Sequence, residues 1–134
     1  MKLMNIIDCT LVILENLNKF ENIRDASRFI FTRIVPLIKE DNIDISNYLS
    51  RLIGNILIVD NLKITEICDL IRFLGQIIHN YQYDSRIFEL INNLFSPLIE
   101  KVFAVLNEND GSLNLDIERD KINLVKAYLS FLLN

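Results

Sequence analysis

Residues 62–106, LKITEICDLIRFLGQIIHNYQYDSRIFELINNLFSPLIEKVFAVL, decide how the rest of the chain is read. Ile64, Ile67, Leu70, Ile71, Leu74, Ile77, Ile78 and Tyr81 recur at steps of three and four, which places them on one broad helical face. Thr65, Glu66, Asp69, Arg72, Gln76, His79 and Asn80 fall on the other side. After a polar turn near Tyr83-Asp84, the rhythm resumes with Ile87, Phe88, Ile91, Leu94, Phe95, Leu98, Ile99, Val102, Phe103 and Leu106. Two amphipathic helices joined this tightly form a hairpin. Neither can bury its stripe alone, so the hairpin needs neighbours.

Those neighbours are legible on both sides. Upstream, Ile6, Ile7, Leu11, Leu14 and Leu17, widened by Thr10, Val12 and Ile13, predict a helix over Leu3–Leu17. A second is predicted to Ile38, with Asn22 as N-cap, Asp25 near the positive end of the dipole, and Ala26, Phe29, Ile30, Arg33, Ile34, Leu37 and Ile38 inward. Arg24, Arg28 and Lys39 fall on its solvent side, and Pro36 should kink or end its last turn. Glu40–Asn42 is a turn. A third helix starts at Asp44 or Ser46 and ends near Val59, with Ile45, Tyr48, Leu49, Leu52, Ile53, Ile56 and Leu57 on its face. Downstream, a loop over Asn107–Asn114 precedes a last helix, Leu115–Leu133, with Ile117, Ile122, Leu124, Val125, Tyr128, Leu129 and Leu132 apolar. Gly75 and Pro97 interrupt the central hairpin, Gly75 at about 1 kcal/mol against Ala unless another backbone packs close.

The expectation is therefore an all-α fold of about six helices, and a single domain over residues 1–134. Short connections make successive helices antiparallel. A repeat of about 40 residues per helix pair fits HEAT repeats, the armadillo-like class of α-solenoid. The last helix lacks a pairing partner, and the chain stops on Phe131-Leu132-Leu133-Asn134 without a polar cap. Because solenoids need capping repeats, this pattern predicts a piece of a longer array that self-associates through its exposed C-terminal helix.

Composition narrows the function. At 51% hydrophobic and 24% charged, the chain has enough apolar material for a core and is not a disordered segment. A net charge of −4 denies it the basic footprint of a free-standing nucleic-acid binder. Cys9 and Cys68 lie in separate helical patterns, which argues against a disulfide framework. Asp8 breaks the N-terminal apolar run, so it reads as a buried helix rather than a signal peptide, and no window is long enough for a membrane span. His79 is the only histidine and has no cysteine or histidine cluster near it in sequence. Asp69–Arg72 reads as an (i, i+3) ion pair rather than half of a carboxylate dyad. Gly54 and Gly75 each stand alone within a helix and match no phosphate loop. Residues 110–116, DGSLNLD, lack the acidic spacing of a calcium loop. No catalytic residue, cofactor or metal site is expected, and the chain reads as a binding protein rather than an enzyme.

Several stretches together resemble the exportin-T family. These are RDASRFIFTRIVPLI (24–38), KITEICDLIRFLGQIIHNY (63–81), RIFELINNLFSPLIEKVFAVLN (86–107) and the acidic loop and helix NENDGSLNLDIERDKINLVKAYLSFLLN (107–134). The resemblance runs from about Asn22 to the end and lies in helix order, loop position and scattered residues, not in a catalytic signature. It implies a piece of a tRNA-export karyopherin of the importin-β superfamily. Such a receptor is a HEAT superhelix that binds tRNA together with the GTP form of Ran. It passes nuclear pore proteins and shuttles between nucleus and cytoplasm. This chain is far shorter than such a receptor and lacks the N-terminal repeats that grip Ran. In HEAT arrays the second helix of each pair tends to line the concave side, here Leu3–Leu17, Asp44–Val59 and Asp84–Leu106. Their Asn47, Arg51, Asn55, Arg86, Asn93 and Lys101 are the candidate RNA or partner contacts. The competing reading for these six is an ordinary solvated surface. The competing reading for the chain is a self-contained helical scaffold or adaptor whose groove takes a partner protein.

Overall fold

The computed structural model describes residues 2–39, 44–60, 62–81, 84–107 and 115–132. Among them are six α-helices and no strand: α1 Lys2–Leu17, α2 Glu21–Lys39, α3 Ser46–Leu57, α4 Ile64–Asn80, α5 Ser85–Leu106 and α6 Leu115–Leu132. The expected all-α fold of six helices is what forms, with most bounds within two residues of expectation. The Tyr83 side of the central turn, the Glu40–Asn42 turn, most of the 107–114 loop and the chain's last two residues lie outside the described residues.

The helices group into two compact units, Met1–Asp60 and Asn61–Asn134. In the first, α1 packs on both α2 and α3, and α2 touches α3. Its core is Ile7, Leu11 and Leu14 from α1, Phe31, Ile34, Val35 and Ile38 from α2, and Leu49, Leu52, Ile53 and Ile56 from α3. Full burial of each such side chain is worth about 1.5–3 kcal/mol. Thr10 and Ser27 enter this core cheaply. Their hydroxyls donate back along the helix to the carbonyls of Ile6 and Ile23, each at 2.7 Å.

The buried face of α2 is turned about one residue, or 100°, from the expected one. Arg24, Ser27, Phe31, Ile34, Val35 and Ile38 are buried, whereas Ala26, Phe29, Arg33 and Leu37 are exposed. Apolar residues surround this helix, so its sequence offers two stripes, and contact with α1 and α3 selects one. Arg24 follows its stem inward and donates from Nη1 to the Asn18 carbonyl at 2.9 Å. Asn22 is not the N-cap. The Phe20 amide closes on the Leu17 carbonyl at 3.1 Å, and the first helical bond runs from the Arg24 amide to the Phe20 carbonyl at 3.2 Å. The helix thus starts at Glu21, whose carboxylate takes the place near the dipole that was expected of Asp25. Pro36 sits on the exposed side within α2, and Pro97 on the exposed side within α5. Each lacks an N–H, and the helix runs on past it.

In the second unit, α4 is central. It packs on α5 and, more extensively, on α6. The last helix therefore has a partner, which its sequence pattern did not indicate. This explains the width of the α4 apolar face, which buries Ile67, Cys68, Leu70, Ile71, Phe73, Leu74 and Ile77. Small Ala127 lets α6 approach closely between Leu124 and Phe131, and these three are buried. Glu66, expected on the polar side, is 6% exposed, because two helices flank α4 rather than one. Among the described residues no buried side-chain nitrogen or oxygen lacks a hydrogen-bond partner.

Candidate functional site

The six candidate side chains fall into two sets, one in each unit. In the first unit, Asn47, Arg51 and Asn55 stand at successive steps of four on α3, which advances only about 40° per step and keeps them on one strip. Asn47 is exposed, and Arg51 and Asn55 are half-buried. Helix α3 is set in place by Asp44, whose Oδ1 accepts from the Ser46 amide at 3.0 Å and from the Ser46 hydroxyl at 2.6 Å. Its opposite face is held by the buried Leu49, Leu52, Ile53 and Ile56.

The strip is tied to neighbouring groups. Glu15 Oε1 on α1 accepts from Arg51 Nε at 2.7 Å and forms an ion pair with Nη2 at 2.7 Å. The Asn55 amide donates to the Arg51 carbonyl at 2.7 Å, and the Asn55 carbonyl accepts from Asn18 Nδ2 at 3.1 Å. Arg51 thus arrives with a carboxylate beside it. Breaking so exposed a pair costs about 0.2–1 kcal/mol, which a phosphate can offset. Glu15 and Asn18 carry no local sequence signal that ties them to this strip. They lie 36 and 37 residues from their partners, and only the packing of α1 on α3 brings them there.

In the second unit, Arg86, Asn93 and Lys101 lie along α5 within an arc of about 80°. Arg86 and Asn93 are exposed and Lys101 is half-buried. Arg86 is held at the start of the helix by the N-cap residue Asp84. Asp84 Oδ1 accepts from the Arg86 amide at 2.9 Å and from its Nε at 3.1 Å, and Oδ2 accepts from Nη2 at 3.0 Å. The Arg86 side-chain bond is the main reason the Asp84 carboxyl titrates below the usual carboxylate range, with burial opposing and the Arg86 backbone amide assisting. The guanidinium fork is therefore pre-oriented but partly neutralised.

Neither unit is basic. Residues 1–60 hold seven Lys and Arg against eight Asp and Glu, a net of −1, and residues 61–134 hold seven against ten, a net of −3. Neither strip therefore lies in a broad basic footprint of the kind a phosphate backbone attracts. Elsewhere, Asp69 and Arg72 pair at 3.6 Å on the exposed face of α4, as their spacing predicts. Cys9 is exposed, Cys68 is buried, and both are free thiols. Burial chiefly pushes the Cys68 thiol up. Among the described residues no group of three or more His, Cys, Asp and Glu is placed to hold a metal ion, and no helix is long and apolar enough to cross a membrane.

Comparison with known proteins reaches further than the sites do. The family model for exportin-T matches residues 1–134. The chain is 44% identical over 135 residues to the exportin-T of Debaryomyces hansenii, covering 98% of this chain and 13% of that protein. It is 47% identical over 134 residues to that of Lodderomyces elongisporus, again 98% and 13%. With the exportin-T of Saccharomyces cerevisiae it shares 37% identity over 155 residues, covering 98% and 14%. The chain thus spans about one-seventh of the length of these relatives. The match takes in α1 as well as the stretch from Asn22 onward that carries the resemblance. On the family model and on these identities, the chain belongs to the exportin-T family.

Proposed function

We propose that this chain is a stretch of a nuclear export karyopherin that binds tRNA together with the GTP form of Ran and carries it through the nuclear pore. The observation that carries this reading is the exportin-T match across the whole chain, combined with an all-α architecture. In this reading the two three-helix units are consecutive parts of one HEAT-repeat array over residues 1–134. The receptor acts by binding and release, makes and breaks no covalent bond, touches pore proteins in transit, and shuttles between nucleus and cytoplasm. Asn47, Arg51, Asn55, Arg86, Asn93 and Lys101 are the side chains assigned to cargo or partner. Arg51 and Arg86 suit phosphate as bidentate forks and Lys101 as a point charge.

The test uses the full-length protein that carries this segment. Labelled tRNA is titrated with and without GTP-loaded Ran, then repeated with Arg51→Ala and Lys101→Ala. Ran is expected to tighten tRNA binding. Each charge removal is expected to lower the slope of log affinity against log salt by about one, uniformly across tRNA sequences. Absence of cooperative tRNA binding overturns the transport reading. Cooperative binding with unchanged salt slopes overturns the residue assignment alone.

A further inference from the structure

The ion pairs Asp25–Arg28, Asp69–Arg72 and Asp84–Arg86 each join residues that are near neighbours in sequence. Glu15–Arg51 is of another kind, because it links α1 to α3 across 36 positions. One oxygen, Glu15 Oε1, lies 2.7 Å from Arg51 Nε and 2.7 Å from Nη2, so the carboxylate sits on one edge of the guanidinium fork. Among the described residues that carboxylate has no second partner. Its position is a poor one for an anion. Glu15 stands in the last turn of α1, at the negative end of the helix dipole, and no basic residue lies in that turn. Nor does the contact between α1 and α3 depend on it. Ile7, Leu11 and Leu14 are buried in the core that α3 shares, and Asn18 Nδ2 donates to the Asn55 carbonyl at 3.1 Å. A charge set against its own helix, with little to add to packing, marks a position shaped by function.

We propose that Glu15 is a built-in competitor for the RNA phosphate that Arg51 takes. This inference rests on the export reading given above. In the empty receptor the carboxylate occupies the edge of the fork that carries Nε and Nη2. A phosphate offers the same donors two oxygens and matches the fork at least as well. Both groups are anions, so they repel each other and do not share that edge. Binding at Arg51 is therefore an exchange, and its net gain is the phosphate contact less the carboxylate contact. The result is a contact that orients cargo and opens readily, which suits a carrier that must also release. Exposed pairs of this kind are weak, so removing the competitor is worth about 1.5–5-fold in affinity.

The experiment measures tRNA affinity, with GTP-loaded Ran present and at one fixed salt concentration, on the full-length protein that carries this segment. Glu15→Gln removes the charge and keeps an acceptor oxygen, and it is expected to tighten binding by about 1.5–5-fold. A gain of this sign cannot come from a damaged fold. Arg51→Ala is expected to weaken binding, and adding Glu15→Gln to it is expected to change nothing further. Asp8→Asn, an equal change of charge at an exposed position about two turns back on α1, is expected to leave the affinity unchanged. Unchanged or weaker binding by Glu15→Gln overturns the proposal. So does an equal gain in the Arg51→Ala background, or an equal gain from Asp8→Asn. Wild-type protein that binds no tRNA overturns the export reading and this inference with it, whereas cooperative tRNA binding that Glu15→Gln does not tighten overturns this inference alone.

Discussion

Gly54→Ala should stabilise the first unit, and the structure fixes by how much. Gly54 lies inside α3, nine residues into a twelve-residue helix, and is exposed. A Cβ built there meets no heavy atom within 4 Å, so the substitution costs nothing in packing. The gain is the helix-propensity difference, about 0.8–1.0 kcal/mol, part of it from the narrower conformational freedom of alanine in the unfolded chain. For a unit of this size unfolding on its own, that is a rise of about 4–8 °C in Tm. In urea, with a slope of about 1–2 kcal/mol/M, the midpoint should move up by about 0.5–1 M. Circular dichroism at 222 nm against temperature and urea reads both. An unchanged or lowered midpoint would refute the reasoning, for it would mean that another group approaches the backbone at Gly54 or that α3 is not helical there.

Leu49→Ala, at a site with no exposure, should cost about 2–5 kcal/mol, whereas Ile58→Ala, 71% exposed at the end of α3, should stay within about 0.5 kcal/mol; urea midpoints distinguish the two. Asp84 titrates below its usual value of about 3.9 in the folded chain, so its contribution is fully present above that pH and is lost as pH falls through the folded pKa. Asp84→Asn should therefore flatten the decline in stability below about pH 4, and Asp84→Ala should cost about 1 kcal/mol at pH 7 through loss of the cap. A thiol reagent at pH 8 should modify exposed Cys9 quickly and buried Cys68, whose thiol is pushed up by burial, only on the time scale of opening; two equally fast thiols would contradict the packing of α4.

The helices were legible because their apolar residues recur at three and four, and α3 shows this most simply. All but one of its expected inward residues are buried, with Tyr48 half-buried. Legibility failed where a helix is apolar on more than one side. In α2 the run FIFTRIVPLI supports two stripes, and only the helices it packs against choose between them. In α6 most of the expected apolar residues are exposed, while Leu124, Ala127 and Phe131, also at steps of three and four, turn inward onto α4. Alanine carries too little hydrophobic signal to announce that contact. Glu66 and Arg24 show the same limit for charge, since a position on the polar side of one helix says nothing about a second neighbour. At the candidate site, the spacing of Asn47, Arg51 and Asn55 was enough to place them on one strip. Their engagement with Glu15 and Asn18 is a tertiary fact that no local pattern encodes. Arg86 with Asp84 was partly legible, since an Asp at a helix start is a capping signal.

The central claim, that this chain belongs to the body of a cooperative export receptor, is tested most directly by reciprocal affinity measurements on the full-length protein that carries it. The affinity for tRNA is measured with and without GTP-loaded Ran, and the affinity for Ran with and without tRNA. Linkage requires the two ratios to be equal, and the account predicts a common tightening of about 5–150-fold. A ratio of one in both directions would contradict it.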